Sequence, residues 1–144
     1  MPCDFIQLII NNGCKYLSLY EAKLTGTLSL KKSSQLKYLD LSNCNAETKV
    51  LEELLASCHS LEKLSLYKLV VTSKIIKSVC CQNGQTLKIL VLSQCLELKL
   101  EDIRQIIDNC YELTDINFDV TYLPKEATDY LANTQRLTQV TKVS

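Results

Sequence analysis

One short pattern of apolar residues recurs along this chain. An apolar residue, usually leucine, is followed three positions later by a second and two positions after that by a third. The pattern is centred on Leu39, Leu64, Leu90 and Ile116, with a degenerate copy at Leu17 and a broken one at Val140. The steps between successive centres are 22, 25, 26, 26 and 24 residues. A period of this length predicts a repeat protein in which each unit packs against its neighbours.

Within each unit the pattern predicts one strand and one helix. In the segment from Tyr38 to Ser42, Leu39 and Leu41 alternate with polar side chains, so the leucines point inward from a short strand. Between strands the apolar residues change to helical spacings of three and four. These helical stripes are Leu51, Leu54, Leu55 and Cys58; Ile75, Ile76, Val79 and Cys80; Ile103, Ile106, Ile107 and Cys110; and Ala127, Tyr130 and Leu131. Asn83 and Gly84 predict a helix end and Pro124 a helix start, whereas the first, 22-residue interval offers no convincing helix.

Because a helix crosses over between successive strands, the strands are expected to lie parallel. Parallel strands are spaced by about 4.8 Å, and helices are roughly twice as wide. Stacked units therefore curve, with the strands on the inside. The sequence predicts an α/β fold: a solenoid forming a short right-handed arc, with parallel strands on the concave face and helices on the convex face, as a single domain over residues 1–144.

Cysteines recur at two positions of the unit. Cys58 and Cys110 stand six residues before a centre, and Cys44 and Cys95 stand three residues after the last apolar residue of a copy. Over roughly residues 14–120 this arrangement resembles the cysteine-containing leucine-rich repeat of F-box/LRR proteins. Ala22, Leu69 and Thr121 replace the second cysteine, and Ser33 and Gly84 replace the first.

The resemblance implies about five leucine-rich repeats and a partial terminal one. It also implies the substrate-recognition part of a Skp1–cullin–F-box (SCF) type ubiquitin ligase, with no catalysis by these residues. The F-box helices that precede such repeats are absent from the 144 residues, so we expect a fragment, an isoform or a truncated paralogue that does not bind the ligase adaptor. The alternative is a free-standing leucine-rich repeat scaffold unrelated to ubiquitin.

The outward strand positions form the candidate surface for a protein partner. Four of the seven tyrosines fall there, and tyrosine is a frequent binding hot spot because it buries a large area yet keeps a polar tip. The competing interpretation is that tyrosine and β-branched residues simply favour strands. A partner with an apolar centre and a basic end would suit this surface. The candidate residues are Tyr16, Tyr20, Tyr38, Asp40, Lys63, Tyr67, Ile89, Val91, Asp115, Asn117 and Asp119.

Charge and hydropathy argue against two classes of partner. Lys plus Arg and Asp plus Glu both total 16, so the whole sequence gives no electrostatic reason to expect nucleic acid or an anionic membrane. The apolar runs are only a few residues long, whereas a spanning helix needs roughly 20. No secretory signal is evident, and we expect a cytoplasmic or nuclear protein with eight reduced cysteines.

The sequence gives little support for an enzyme. Cys80 and Cys81 lack a second cysteine pair for a metal site, and the chain has one histidine, His59. His59 and Cys58 are adjacent, so they are expected to point apart rather than form a thiol–base pair. Three glycines are too few for a glycine-rich phosphate loop. We therefore expect no catalytic residue, metal or cofactor.

Overall fold

The computed structural model describes residues 1–30, 34–119, 123–135, 137 and 139–143, the last of these as backbone only. Within these residues eleven elements follow one another. They are α1 (Cys3–Asn11), β1 (Tyr16–Ser18), β2 (Tyr38–Asp40), α2 (Thr48–Ala56), β3 (Lys63–Ser65), α3 (Ser73–Asn83), β4 (Ile89–Val91), α4 (Leu100–Asn109), β5 (Asp115–Asp119), α5 (Lys125–Ala132) and β6 (Gln139–Val143).

The strands form one parallel sheet whose spatial order is the order of the chain, from β1 to β6. The centres of the apolar pattern lie opposite one another across this sheet: Leu17, Leu39, Leu64, Leu90, Ile116 and Val140. The predicted α/β class with parallel strands is confirmed, and so is the register on which the repeat interpretation depends.

From β2 onward one helix connects each pair of successive strands. Helix α2 packs against α3, α3 against α4, and α4 against α5, so the helices also follow chain order. Helix α3 ends at Asn83, and α5 begins directly after Pro124, as the sequence predicts. The described residues between β1 and β2 contain no helix, in agreement with the short first interval.

The core lies between the sheet and the helices. The strand leucines Leu39, Leu64 and Leu90 are at most 2% exposed, and they join the apolar residues of the helices in one continuous cluster. Every residue of the predicted helical stripes is buried except Tyr130, which is half-buried. Cys58 and Cys110 lie just beyond the ends of α2 and α4, where they are completely buried.

The same unusual backbone conformation follows four successive strands. The residue two positions after the last apolar residue of the pattern has a left-handed φ of 53° to 58°: Glu21, Asn43, Lys68 and Gln94. This turn aims a backbone N–H at the neighbouring unit, as when Asn43 donates to the carbonyl oxygen of Tyr67 at 2.7 Å and Lys68 to that of Ser93 at 3.1 Å. The repeat is thus a repeat of backbone geometry as well as of apolar residues.

None of the helices in the described ranges combines the length and the apolar character that crossing a membrane requires.

Candidate protein-binding surface

The side of the sheet that faces away from the core forms a continuous surface, which we call the open face. In each of β1 to β4 the middle residue points toward the core, and the residues on either side of it are exposed or half-buried. This follows from the alternation of side chains along a strand. The open face comprises Tyr16, Ser18, Tyr38, Asp40, Lys63, Ser65, Ile89, Val91, Asp115 and Asn117, with Tyr20 and Tyr67 just beyond the ends of β1 and β3.

Two tyrosines meet at one end of the open face. Tyr16 and Tyr38 occupy paired positions on β1 and β2, and their ring centroids are 4.8 Å apart at an interplanar angle of 79°. Tyr16 is 64% exposed and Tyr38 42% exposed. This edge-to-face pair is one of the arrangements that aromatic rings prefer, and it leaves both side chains available to a partner.

Tyr20 and Tyr67 extend the aromatic surface past the strands. Tyr20 is exposed. The pKa of its phenol is raised mainly by a hydrogen bond with the Glu21 side chain and, to a smaller extent, by the negative charge of that carboxylate. Tyr67 is half-buried, and the ammonium group of Lys68 lies 5.3 Å from the centre of its ring. Both tyrosines are therefore placed beside charged neighbours.

Asp40 is held by its neighbours on the open face. Its Oδ2 accepts a hydrogen bond from the Ser18 hydroxyl at 3.3 Å, and its Oδ1 accepts one from the Ser42 N–H at 2.9 Å. The Ser42 hydroxyl lies 2.6 Å from that of Ser65. Sequence reasoning placed Asp40 on this surface but missed the network, because the link to Ser18 is evident only once the register of β1 and β2 is known.

A groove of about 440 Å³ runs across the first strands of the open face. Its polar and charged lining includes Asp40 and Lys63, and its apolar lining includes the two tyrosine rings and Val91. Lys63 is exposed, and Ile89 and Val91 are half-buried. The groove thus brings predicted site residues from four strands together.

The far end of the surface differs from the sequence prediction. Asp115 and Asn117 are half-buried on β5, and the Asn117 Oδ1 accepts a hydrogen bond from the Ser93 hydroxyl. Asp119, predicted as a partner-binding residue, is only 5% exposed and offers almost no contact area. Asp119 is the last residue of β5, which is longer than β1 to β4. Strand β6 pairs with β5 along its whole length, up to the pair of Asp119 and Val143.

Ser42 and Ser93 are also buried, although alternation along the strand predicts that they point outward. Both stand where a strand passes into its left-handed turn. Their hydroxyls are bonded to the next strand, so these serines connect neighbouring units instead of contributing contact area.

The motif cysteines lie inside the protein, away from the open face. Cys58 Sγ donates to the carbonyl oxygen of Leu54 at 3.3 Å, and Cys95 Sγ donates to that of Leu66 at 2.8 Å. Burial raises the pKa of Cys95 to about 12, and burial also raises that of Cys58. Both are therefore protonated thiols at neutral pH, which favours a packing role.

The positions at which the cysteine motif departs from its pattern are only partly described. Ser33 and Thr121 lie outside the described residues. Ser34 is the residue that faces Cys58, with Oγ and Sγ 3.7 Å apart. Gly84 takes the place of the first cysteine in another unit. The backbone of Gly84 lies so close to that of Asn109 that there is no room for a side chain.

The other candidate chemistry finds no common site. His59 is exposed whereas Cys58 is completely buried, so the adjacent pair does not share a pocket. Within the described part of the chain, no group of three or more histidine, cysteine, aspartate or glutamate residues could hold a metal ion.

The sequence matches no known family model and no curated protein. The likeness to F-box/LRR proteins therefore rests on the motif residues named above.

Proposed function

We propose that this chain is a leucine-rich repeat solenoid that acts as a protein–protein interaction module. In this proposal the strands line the concave face, the helices cover the convex face of a short right-handed arc, and the open face holds the partner. The sequential parallel sheet, the common register and the 24- to 26-residue period of the later units support the solenoid.

The exposed pair of Tyr16 and Tyr38 at the end of the groove carries the binding proposal. Tyrosine is enriched in protein interfaces, because a rigid ring buries much apolar area while its hydroxyl keeps a polar contact. A tendency of tyrosine to occupy strands accounts for its presence on β1 and β2 but not for a groove beside it that also contains a carboxylate and an ammonium group. A protein partner would use all three features.

We further propose that the partner is a substrate of an SCF-type ubiquitin ligase. Cysteines at both positions of the repeat motif support this assignment through the resemblance to F-box/LRR proteins. The module would bind the substrate without a cofactor and without catalysis of its own, in the cytoplasm or nucleus. Contact with the adaptor would require an F-box outside these 144 residues.

Partner capture from cells tests the binding proposal. The bait is the full chain, compared with a Tyr16→Ser, Tyr38→Ser double variant and with a Tyr111→Ser control. Tyr111 is 61% exposed and does not belong to the open face, so it matches the removal of an exposed ring elsewhere. We expect specific proteins that the double variant loses and the control retains. Equal capture by all three baits, with unchanged melting curves, would contradict the proposal.

A separate experiment tests the link to ubiquitin. An F-box is fused to the N-terminus, and ubiquitination of the captured protein is followed in cells. We expect ubiquitination with the wild-type open face and none with the tyrosine double variant. A captured protein that is never ubiquitinated would favour the free-standing scaffold and leave the binding proposal intact.

A further inference from the structure

The open face contains a carboxylate that no described cation neutralises. Asp40 is half-buried, and the one ion pair found in the described ranges joins Lys74 to Glu52 on the helices. Each Asp40 oxygen accepts a single hydrogen bond, from Ser18 or from Ser42. A carboxylate oxygen has two lone pairs, so Asp40 can still accept two further N–H donors.

Aromatic rings stand next to this carboxylate. Tyr38 precedes Asp40 by two residues on the same face of β2, which is about 7 Å along a strand, and the Tyr16 ring packs against Tyr38. In a T-shaped pair the two rings do not cover either face of the ring that presents its edge, and they cover one face of the other ring. These faces are negative and attract a cation placed within about 6 Å of the ring centre.

We infer that the open face takes an extended partner segment whose arginine side chain stacks on the Tyr16–Tyr38 pair and donates two hydrogen bonds to Asp40. This inference rests on the proposed protein-binding function and specifies the partner's chemistry. Arginine fits better than lysine, because its planar guanidinium can stack on a ring and present two parallel donors to one carboxylate.

Lys63 fixes which side of the groove receives the arginine. It lies opposite Tyr38 on β3, so it adds a positive charge on the side of Tyr38 away from β1. A second cation is disfavoured there because it would be repelled by Lys63. On the side toward β1 it would instead meet the Asp40 carboxylate, which is hydrogen-bonded to Ser18 of β1. Replacing Lys63 by glutamate should therefore strengthen the binding of an arginine-containing segment by about threefold, as expected for an exposed charge.

Peptide selection on the full chain tests the inference. Random peptides displayed on phage are selected against the wild-type protein, with removal of those that also bind the Tyr16→Ser, Tyr38→Ser variant. We expect arginine to be enriched at one position. The selected peptide is then synthesised with arginine, lysine or citrulline at that position, and its affinity is measured by fluorescence anisotropy. Citrulline keeps the shape of arginine without its charge.

Asp40→Asn is the matched protein variant, because its side chain can still bond to Ser18 and Ser42. Where a charged group makes a bidentate hydrogen bond, neutralising either partner is expected to lower the binding affinity by about tenfold or more. We expect that loss for the arginine peptide on Asp40→Asn and for the citrulline peptide on the wild type. The Asp40→Asn variant and the wild type should bind the citrulline peptide with equal affinity.

The outcomes separate this inference from the proposed function. Peptides that require the tyrosines but lack an enriched arginine, or that bind Asp40→Asn unchanged, overturn the arginine site and leave the binding module standing. Peptides that all bind equally well without the tyrosines contradict the open face as a binding surface. Melting curves of each variant establish that a lost affinity is not a lost fold.

Discussion

A β-carbon placed on Gly84 would overlap the carbonyl oxygen of Asn109 and would lie 2.7 Å from that of Cys80. Gly84 follows α3 and Asn109 ends α4, so the ends of two neighbouring helices approach here with no room for a side chain. The Gly84 φ of −59° suits any residue. Glycine is therefore required at this position for space and not for backbone conformation.

Gly84→Ala should lower the free energy of unfolding by about 1–3 kcal/mol, because two backbone carbonyls would have to move apart from the new methyl group. Urea denaturation measures the change. Gln85→Ala, at the exposed next position, should stay within about 0.5 kcal/mol of the wild type. Equal stability of the two variants would mean that α3 and α4 separate at negligible cost.

Leu64→Ala should cost about 2–5 kcal/mol, because Leu64 is completely buried at the centre of the sheet. Strand β3 pairs with β2 and with β4, so if the units are coupled as in a repeat solenoid, amide hydrogen exchange should accelerate in β2 and β4 as well as in β3. Lys63→Ala removes an exposed side chain from the same strand and is the control. Faster exchange confined to β3 would contradict coupling between units.

Asn83→Ala should cost about 1–3 kcal/mol through the loss of a buried amide. Asn83 is completely buried, where its Oδ1 accepts the N–H of Leu61 at 2.9 Å and its Nδ2 donates to the carbonyl oxygen of Val79 at 3.1 Å. Alanine would leave the Leu61 N–H without this acceptor. Thermal and urea unfolding of the variant, beside exposed Asn45→Ala, measure the effect, and matching curves would refute it.

Cys95 should make the protein less stable in alkali. Burial raises its pKa from 9.0 to about 12, so folding favours the protonated thiol. That stability is fully present below about pH 9 and is lost as the pH rises from there toward 12, by at most about 1.4 kcal/mol per pH unit.

The free energy of unfolding of Cys95→Ala, measured from neutral to alkaline pH, checks this expectation. The stability advantage of the wild type over Cys95→Ala should shrink as the pH rises. Leu98→Ala removes a buried side chain that does not titrate, and its difference from the wild type should remain constant. A constant difference for Cys95→Ala as well would show that the thiol titrates alike in the folded and unfolded chains.

Much of the fold could be predicted because its signals are local and repeated. Leu39, Leu64 and Leu90 each sit in a short alternating segment, and the same segment at a regular interval determines both the strands and their register. The start of α5 after Pro124 was predictable because proline favours the first positions of a helix. Helix α3 does end beside Gly84 as predicted, but Gly84 has a φ of −59° and not the left-handed conformation on which that prediction depends.

The left-handed turns were not predictable in the same way. Asn43 is the one residue of the four that favours this conformation, whereas Glu21, Lys68 and Gln94 give no local signal for it. At Glu21 and Lys68 the conformation is accompanied by a hydrogen bond from the backbone N–H to the next unit, which exists only once the units are stacked. The burial of Asp119, Ser42 and Ser93 likewise depends on neighbouring strands and not on alternation alone.

The strict chain order of the sheet has an evolutionary consequence. Each described strand pairs with the strands that come before and after it in the chain. A second copy of the segment from Lys63 to Lys88, inserted after the first, could therefore pair with its neighbours in the same way as β3 and β4 pair with each other. Unequal recombination within a gene of this kind can lengthen the groove by one strand without altering the rest. The length of the surface that can contact an extended partner would then change during evolution in steps of one repeat unit.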